Sequence, residues 1–347
     1  MNTNKTLIKK LNDQGTLAHD ELYQLLTAMD DSDAQYLYQL ARMKREAVYG
    51  KDVYLRGLIE FSNYCKNDCR YCGIRASNDR AERYRLSAQE IIDCTNTGYD
   101  LGFRTVVLQS GEDLSYSDEA ICEIVRAIKN NHPDLAITLS IGEKEKKSYQ
   151  KYFEAGAERY LLRQETSNPE HYAYLHPASL SLAHRKQCLE DLKEIGYQVG
   201  CGIMVGSPHQ TYDHIIEDLY YMKDFHPHMV GIGPFIAHKD TPFKNEPNGT
   251  LEDTLHLLGI IRLMLPHVLL PATTALGTID PLGREKGILA GANVVMPNLS
   301  PRSVRRKYML YDGKICTGEE AAQCHACMER RIAKTGYQVV PSRGDYR

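Results

Sequence analysis

No apolar stretch of this chain is long enough to cross a membrane unbroken. The longest, LHLLGIIRLMLPHVLLPA, is cut by Arg262 and Pro266. It fits an amphipathic helix running into a strand better than a span of about 20 apolar residues. An excess of one charge is missing as well. With 42 Lys and Arg against 45 Asp and Glu, the formal net charge is -3, which leaves no basic footprint for nucleic acid or a membrane surface. The opening run MNTNKTLIKKLNDQG lacks the apolar core of a secretory signal, so a cytoplasmic setting is expected. In that reducing compartment the ten cysteines are poor candidates for disulfides. Low-complexity runs and an evident domain linker are also absent.

What is present is ordinary globular material: 347 residues, 42% of them hydrophobic and 25% charged, enough to bury a sizeable core. Leu22, Leu25, Leu26 and Met29 have helical spacing, and residues 1–50 read as a helical lead-in. From about residue 53 a unit repeats: an amphipathic helix, a glycine, then a short β-branched run. YDLGFRTVVLQS, EAGAERYLLRQE, KEIGYQVGCGIMVG and AGANVVMPN place Gly102, Gly156, Gly196 and Gly291 where a helix ends in a left-handed cap. Strands are expected near 55–61, 105–110, 136–141, 159–165, 198–206, 229–236, 269–276 and 293–298. Strands alternating with helices imply parallel pairing through crossover helices. An open doubly wound sheet competes with a closed (β/α)8 TIM-type barrel, and about eight units in about 245 residues favour the barrel. The expected layout is the lead-in at 1–50, the barrel at 51–305 and a C-terminal extension at 306–347. Barrel chemistry belongs at the C-terminal ends of the strands. There lie Cys65 onward, Gln109 to Asp113, Arg163 with Glu165, Thr273 with Thr274, and Asn298.

CKNDCRYCG places Cys65, Cys69 and Cys72 in C-x3-C-x2-C spacing, with Tyr71 just before the last. Thiolates select zinc or iron-sulfur clusters, and three in one loop reach three corners of a cubane, leaving one iron open. A structural zinc site needs a fourth ligand, and no histidine lies between residues 20 and 131. The tail carries a second set, CTGEEAAQCHAC, with Cys316, Cys324 and Cys327 in C-x7-C-x2-C spacing and His325 among them. Zinc and iron-sulfur both remain open for that set. Cys94, Cys122, Cys188 and Cys201 read as small buried hydrophobes, and His226, His228 and His238 as surface residues.

Other segments have bland and functional readings side by side. LQSGED is a strand end and turn whose acids suit a following helix. Arg163 and Glu165 in RYLLRQETSNPE are one residue apart, on one face of a strand; they form a structural salt bridge or grip a zwitterion. Arg185 alone reads as a solvated residue. Met204 in GIMVGSPHQT reads as core or as a neighbour of a flat ring. Thr273 and Thr274 in PATTALGTIDPLGRE are caps or an anion site at a helix start.

The C-x3-C-x-aromatic-C spacing after the first strand resembles the radical S-adenosylmethionine (SAM) superfamily. VVLQSGED, RYLLRQETSNP, IMVGSPHQT, MVGIGPFIAHKDTPF, LLPATTALGTIDPLGRE, GANVVMPN and YMLYDGKIC extend the likeness to its biotin-synthase-like branch. Within that branch the HydE family of [FeFe]-hydrogenase maturases is most similar, from about residue 50 to about residue 330. The resemblance implies a [4Fe-4S] cluster on Cys65, Cys69 and Cys72 whose open iron binds SAM and whose reduction yields a 5'-deoxyadenosyl radical. It implies SAM contacts from Gln109, Ser110, Thr138, Arg163, Glu165, Arg185, Met204, Tyr308 and Tyr311, and an anion or substrate cavity at Thr273 and Thr274. It further implies a second iron-sulfur cluster on Cys316, Cys324 and Cys327, which members of the family possess or lack. The implied substrate is a small organometallic, a cysteine-bound iron carbonyl cyanide complex converted toward the dithiolate bridge. Its implied partners are a tyrosine-cleaving radical SAM maturase and a GTPase scaffold. TVVLQS and AITLSI carry no cysteine, which argues against sulfur donation as in biotin synthase. The competing readings are a methylornithine-synthase-like mutase and a non-enzymatic metal or cluster carrier.

Overall fold

A computed structural model describes residues 3–347. Helices Thr3–Gln14, His19–Ala28 and Asp31–Tyr49 open the chain, and they bury Leu7, Ile8, Leu11, Leu22, Leu25, Leu26 and Leu37. Asp30 starts the third by accepting a hydrogen bond from the Asp33 amide at 2.9 Å, a cap that satisfies one orphan N–H. The strands that follow are β1 (Asp52–Leu55), β2 (Gly57–Ser62), β3 (Thr105–Ser110), β4 (Ala136–Ser140), β5 (Arg159–Leu161), β6 (Gln198–Cys201), β7 (Met204–Val205), β8 (Met229–Val230), β9 (Gly233–Pro234), β10 (Val294–Val295) and β11 (Gln338–Val340).

β2, β3, β4, β5, β6 and β8 form one parallel sheet in that order. Shorter pairings continue it into a ring. The Val230 amide donates to Leu269 O at 3.1 Å, the Ala272 amide to Val294 O at 2.8 Å, and the Leu58 amide to Pro297 O at 2.8 Å. The sheet therefore returns to its first strand, and the fold is the closed barrel rather than the open sheet. Helix ends follow the glycines. Gly102, Gly156, Gly196 and Gly291 all have positive φ, between 94° and 117°.

Several expectations change. The strands expected at 198–206 and 229–236 are each broken in two, as β6 with β7 and β8 with β9, and the one expected at 293–298 shortens to β10. The strand expected at 269–276 is reduced to bridges at Leu269 and Pro271, because Pro271 has no amide to donate and Thr273 already caps the helix Thr274–Ile279. The strand expected at 159–165 stops at Leu161. The helix Leu251–Met264 is not amphipathic: every residue from Thr254 to Met264 is buried, since helix Asp31–Tyr49 packs on it. Its Arg262 is fully enclosed and donates to Gly291 O, Pro266 O, Val268 O and Asn293 Oδ1 at 2.7–3.2 Å. A charge can be buried there because each donor finds an oxygen.

The tail reaches back to the barrel. β11 pairs in parallel with β1, Val339 beside Val53. The buried Arg159 donates to Arg343 O at 3.0 Å and to Asp345 Oδ1 at 2.7 Å, closing the N-terminal end. The opposite, C-terminal end stays available for a site. Among the described residues no helix is long and apolar enough to cross a membrane.

Candidate active site

The cysteine segment is an irregular loop between β2 and the helix Ala88–Asp100, so its shape depends on side-chain ties. Arg83 supplies four of them, donating to Asn63 O (2.5 Å), Ile74 O (2.9 Å), Arg75 O (2.6 Å) and Asn78 O (3.0 Å). Three backbone bonds dock the loop on its surroundings: Lys66 N to Glu112 O, Arg70 N to Leu175 O and Gly73 N to Leu310 O, at 2.9–3.0 Å. Cys65, Cys69 and Cys72 are half-buried free thiols. Burial pushes all three thiols up, Cys72 to about 12, and the charge of its neighbours raises Cys69 and Cys72 further. Such thiols become thiolates when cations bind them. Among the described residues no three His, Cys, Asp or Glu side chains converge as ligands of one metal ion.

The strand ends face this loop. Gln109 stands opposite Glu60 in register and donates to the Tyr308 hydroxyl at 3.2 Å. Ser110 Oγ donates to Gly111 O at 2.6 Å. Arg163 and Glu165 meet, with Nη2 and Oε2 2.8 Å apart, but not by strand alternation. They lie beyond the end of β5, and Glu165 has a left-handed φ of 67°, a conformation that costs a non-glycine residue energy and clusters at functional sites. Among the described residues, Arg163 Nε and Thr138 Oγ1 are buried with no hydrogen-bond partner. Burial raises the Glu165 carboxyl, opposed by Arg163 and Arg185. Arg185 is itself buried, not solvated, and donates to Glu143 Oε1 at 2.5 Å and Arg163 O at 2.6 Å. Met204 packs with Leu175, Phe235 and Phe243, and Tyr71 lies against the same cluster.

The acids of LQSGED do not serve a helix start. Asp113 is paired with Arg85 at 2.6 and 3.0 Å and with Ser62 at 2.6 Å. Glu112 accepts from the Glu143 amide at 3.0 Å. Thr273 is a helix cap, and Thr274 Oγ1 accepts from Arg284 at 3.3 Å. Tyr311 is raised to about 12 by burial, against a hydrogen bond with Thr278. His238, expected at the surface, is buried.

In the tail, Cys316 has a left-handed φ of 62° and its sulfur lies 3.6 Å from both Nη atoms of Arg284. Cys324 and Cys327 sit on the helix Ala321–Ala333. The His325 ring lies 5.4 Å from that of Phe103.

Sequence reasoning missed a buried ion pair beside these groups. Lys314 Nζ lies 2.5 Å from Glu60 Oε1 and also donates to Tyr308 O at 2.9 Å, while Asn298 donates to Glu60 Oε2 at 2.8 Å. The lone acid in the apolar strand LIEFS was a usable signal; Lys314 had none. Arg284 and Glu143 were missed for the same reason, since their partners are remote in sequence.

The donor set fits the implied cofactors. Three thiols in one loop suit a cluster with an open corner, and the orphaned Thr138 Oγ1 and Arg163 Nε ask for a polar ligand. Residues 59–222 match the Radical SAM superfamily. The chain belongs to that superfamily, in its biotin-synthase-like branch, and is an enzyme that uses a [4Fe-4S] cluster and SAM. Over 334 residues it is 42% identical to the [FeFe] hydrogenase maturase subunit HydE of Thermotoga maritima, covering 96% of this chain and 95% of that protein. It is 32% identical to 3-methylornithine synthase of Methanosarcina acetivorans, over 94% of this chain and 91% of that one. Among solved structures, methylornithine synthase (PylB) superposes with a TM-score of 0.84 at 29% identity, covering 96% of this chain and 97% of that chain.

Proposed function

We propose that this enzyme acts in maturation of the [FeFe]-hydrogenase two-iron subsite, on a cysteine-bound iron carbonyl cyanide precursor, toward the dithiolate bridge. The observation that carries the reading is the 42% identity to a hydrogenase maturase across 96% of the chain. The precursor would come from a tyrosine-cleaving radical SAM maturase and the product pass to a GTPase scaffold, in the cytoplasm.

Cys65, Cys69 and Cys72 would hold the [4Fe-4S] cluster that works with SAM. Together these cofactors supply reductive cleavage of SAM to methionine and a 5'-deoxyadenosyl radical. The chain's own contribution is placement. Gln109 and Ser110 receive the SAM amino group, and Gln109 is oriented by Tyr308. Arg163 and Glu165 exchange their mutual ion pair for its carboxylate and its ribose or amine. Arg185, braced by Glu143, fixes the Arg163 backbone and keeps Nη2 for the ligand. Met204 bounds the adenine, and Thr138 and Tyr311 complete the wall. Thr273 and Thr274 take an anionic group of the substrate, with Arg284 behind them. Cys316, Cys324 and Cys327 hold a second iron-sulfur cluster that ties the tail to the barrel.

A second reading, a methylornithine-synthase-like mutase acting on free lysine, has the structural likeness of 0.84 in its favour. The test is anaerobic cluster reconstitution, reduction in the presence of SAM, and assay of 5'-deoxyadenosine. Cys69→Ser abolishes cleavage and Cys324→Ser spares most of it; equal loss would show that the tail set is also required. Conversion of free lysine to an isomer would transfer the assignment to the mutase. Full hydrogenase activity in a host lacking the gene would refute the maturase reading.

A further inference from the structure

Beside the cysteine loop the surface is hollowed into a groove of about 590 Å³, walled by Arg80 and Glu82, by Lys239 and Asp240, and by Arg306 and Lys307. Three separate segments meet there: the loop after β2, the turn after β9 and the stretch after β10. None of the residues assigned to SAM or to the substrate lines it. Gly73, the residue after Cys72, forms part of its floor together with His238. The packing at that floor is tight: a Cβ at Gly73 would stand 2.2 Å from Met309 O and 2.5 Å from the His238 ring. One residue of backbone therefore separates the groove from a cluster ligand.

The groove's charge is opposite to that of the whole chain. Four cations face two carboxylates, within a protein of net charge -3. Both carboxylates are already engaged, Glu82 by Lys307 at 2.5 Å and Asp240 by Arg80 at 3.1 Å. Lys239 and Arg306 are exposed. The geometry points to this groove as the docking surface for a small acidic protein that carries one electron, and this rests on the reading of Cys65, Cys69 and Cys72 as cluster ligands. Electron transfer weakens steeply with distance, so a donor must reach the cluster edge closely, and the groove's lining includes the residue next to Cys72. Uncompensated cations around that point steer and orient an acidic partner, and a small, polar, transient contact is normal for redox encounters. In the step itself one electron leaves the carrier's reduced centre and enters the cluster; no bond forms or breaks.

The test reverses the two free charges, Lys239→Glu together with Arg306→Glu, and compares two reductants. Dithionite is small and needs no docking, whereas a reduced flavodoxin, an acidic one-flavin protein, must dock. The holoenzyme variant is expected to form 5'-deoxyadenosine from dithionite at the wild-type rate. With flavodoxin its rate at limiting carrier is expected to fall roughly tenfold or more, and its dependence on ionic strength to flatten. Calorimetric titration of the holoenzyme with oxidised flavodoxin at low salt gives an activity-independent readout: binding by the wild type, lost in the variant. Unchanged flavodoxin kinetics and binding would overturn the proposal, as would an equal loss with both reductants. If even wild-type enzyme fails with dithionite, the cluster reading falls, and the titration alone decides the docking surface.

Discussion

Replacing Lys314 by methionine isolates what the tail does for the barrel mouth. The Lys314 and Glu60 side chains are 7% and 2% exposed, with 2.5 Å between Nζ and Oε1. Removing one partner of a buried pair leaves an uncompensated charge and costs about 3–5 kcal/mol. Asn298 still donates to Glu60 Oε2, which moderates the loss, while the bond from Lys314 to Tyr308 O disappears. The expected net destabilisation is about 3–4 kcal/mol. Adding Glu60→Gln removes the stranded charge, so the double variant should recover to within about 1 kcal/mol of wild type, because apolar or neutral replacements of whole pairs are often nearly neutral. Anaerobic equilibrium unfolding of the four proteins of the cycle measures the coupling directly. Equilibrium binding of SAM to the single variant should also weaken, since Tyr308 carries the hydroxyl that orients Gln109. A loss below about 1 kcal/mol in Lys314→Met, or no rescue by Glu60→Gln, would refute the account of a mutually dependent buried pair.

Two further outcomes follow from buried groups near the fifth strand. Asp218 is enclosed; burial raises its pKa from 3.8 to about 8, opposed by hydrogen bonds from Ser167 and Gln164. Between those values the folded chain holds a proton the unfolded chain has released, so stability falls as pH rises, by up to about 1.4 kcal/mol per unit. Asp218→Asn should flatten that slope in unfolding measured from pH 5 to 8 and be the more stable protein at pH 8; parallel slopes would contradict it. Gly202 has a φ of 154°, and a Cβ there would stand 2.0 Å from Gly231 O. Its carbonyl also accepts from the Glu165 amide at 3.0 Å. Gly202→Ala should cost about 1–3 kcal/mol and weaken SAM binding. Gly318→Ala, where the new atom meets Arg306 at 3.9 Å, should do neither; equal effects at both positions would show that the close approach is irrelevant.

Much of the repeat was legible because it depends on local chemistry. A glycine that alone tolerates left-handed φ marks a helix end, and the apolar run after it marks a strand. The strands at 105–110 and 136–141 were therefore placed within a residue of β3 and β4. Where backbone capping overrides side-chain pattern, as at Pro271 and Thr273, the expected strand dissolved into bridges and a helix. Burial of Arg185 and His238 was invisible for a different reason. A charged or polar side chain reads as solvated until the segment that covers it is known.

The sequence by itself determined the class of chemistry. Three cysteines spaced for a cubane, with polar residues at the ends of repeated strands, limit what a site can hold, since ligand type and spacing are local properties. Tertiary structure alone decided which remote groups complete that site. The ring closes through single pairings at Leu269, Pro271 and Asn298, Lys314 finds Glu60 across 254 residues, and Arg284 finds Cys316. A buried charge is stable only beside its counter-charge or hydrogen-bond partners, and which partner it meets depends on how the whole barrel closes.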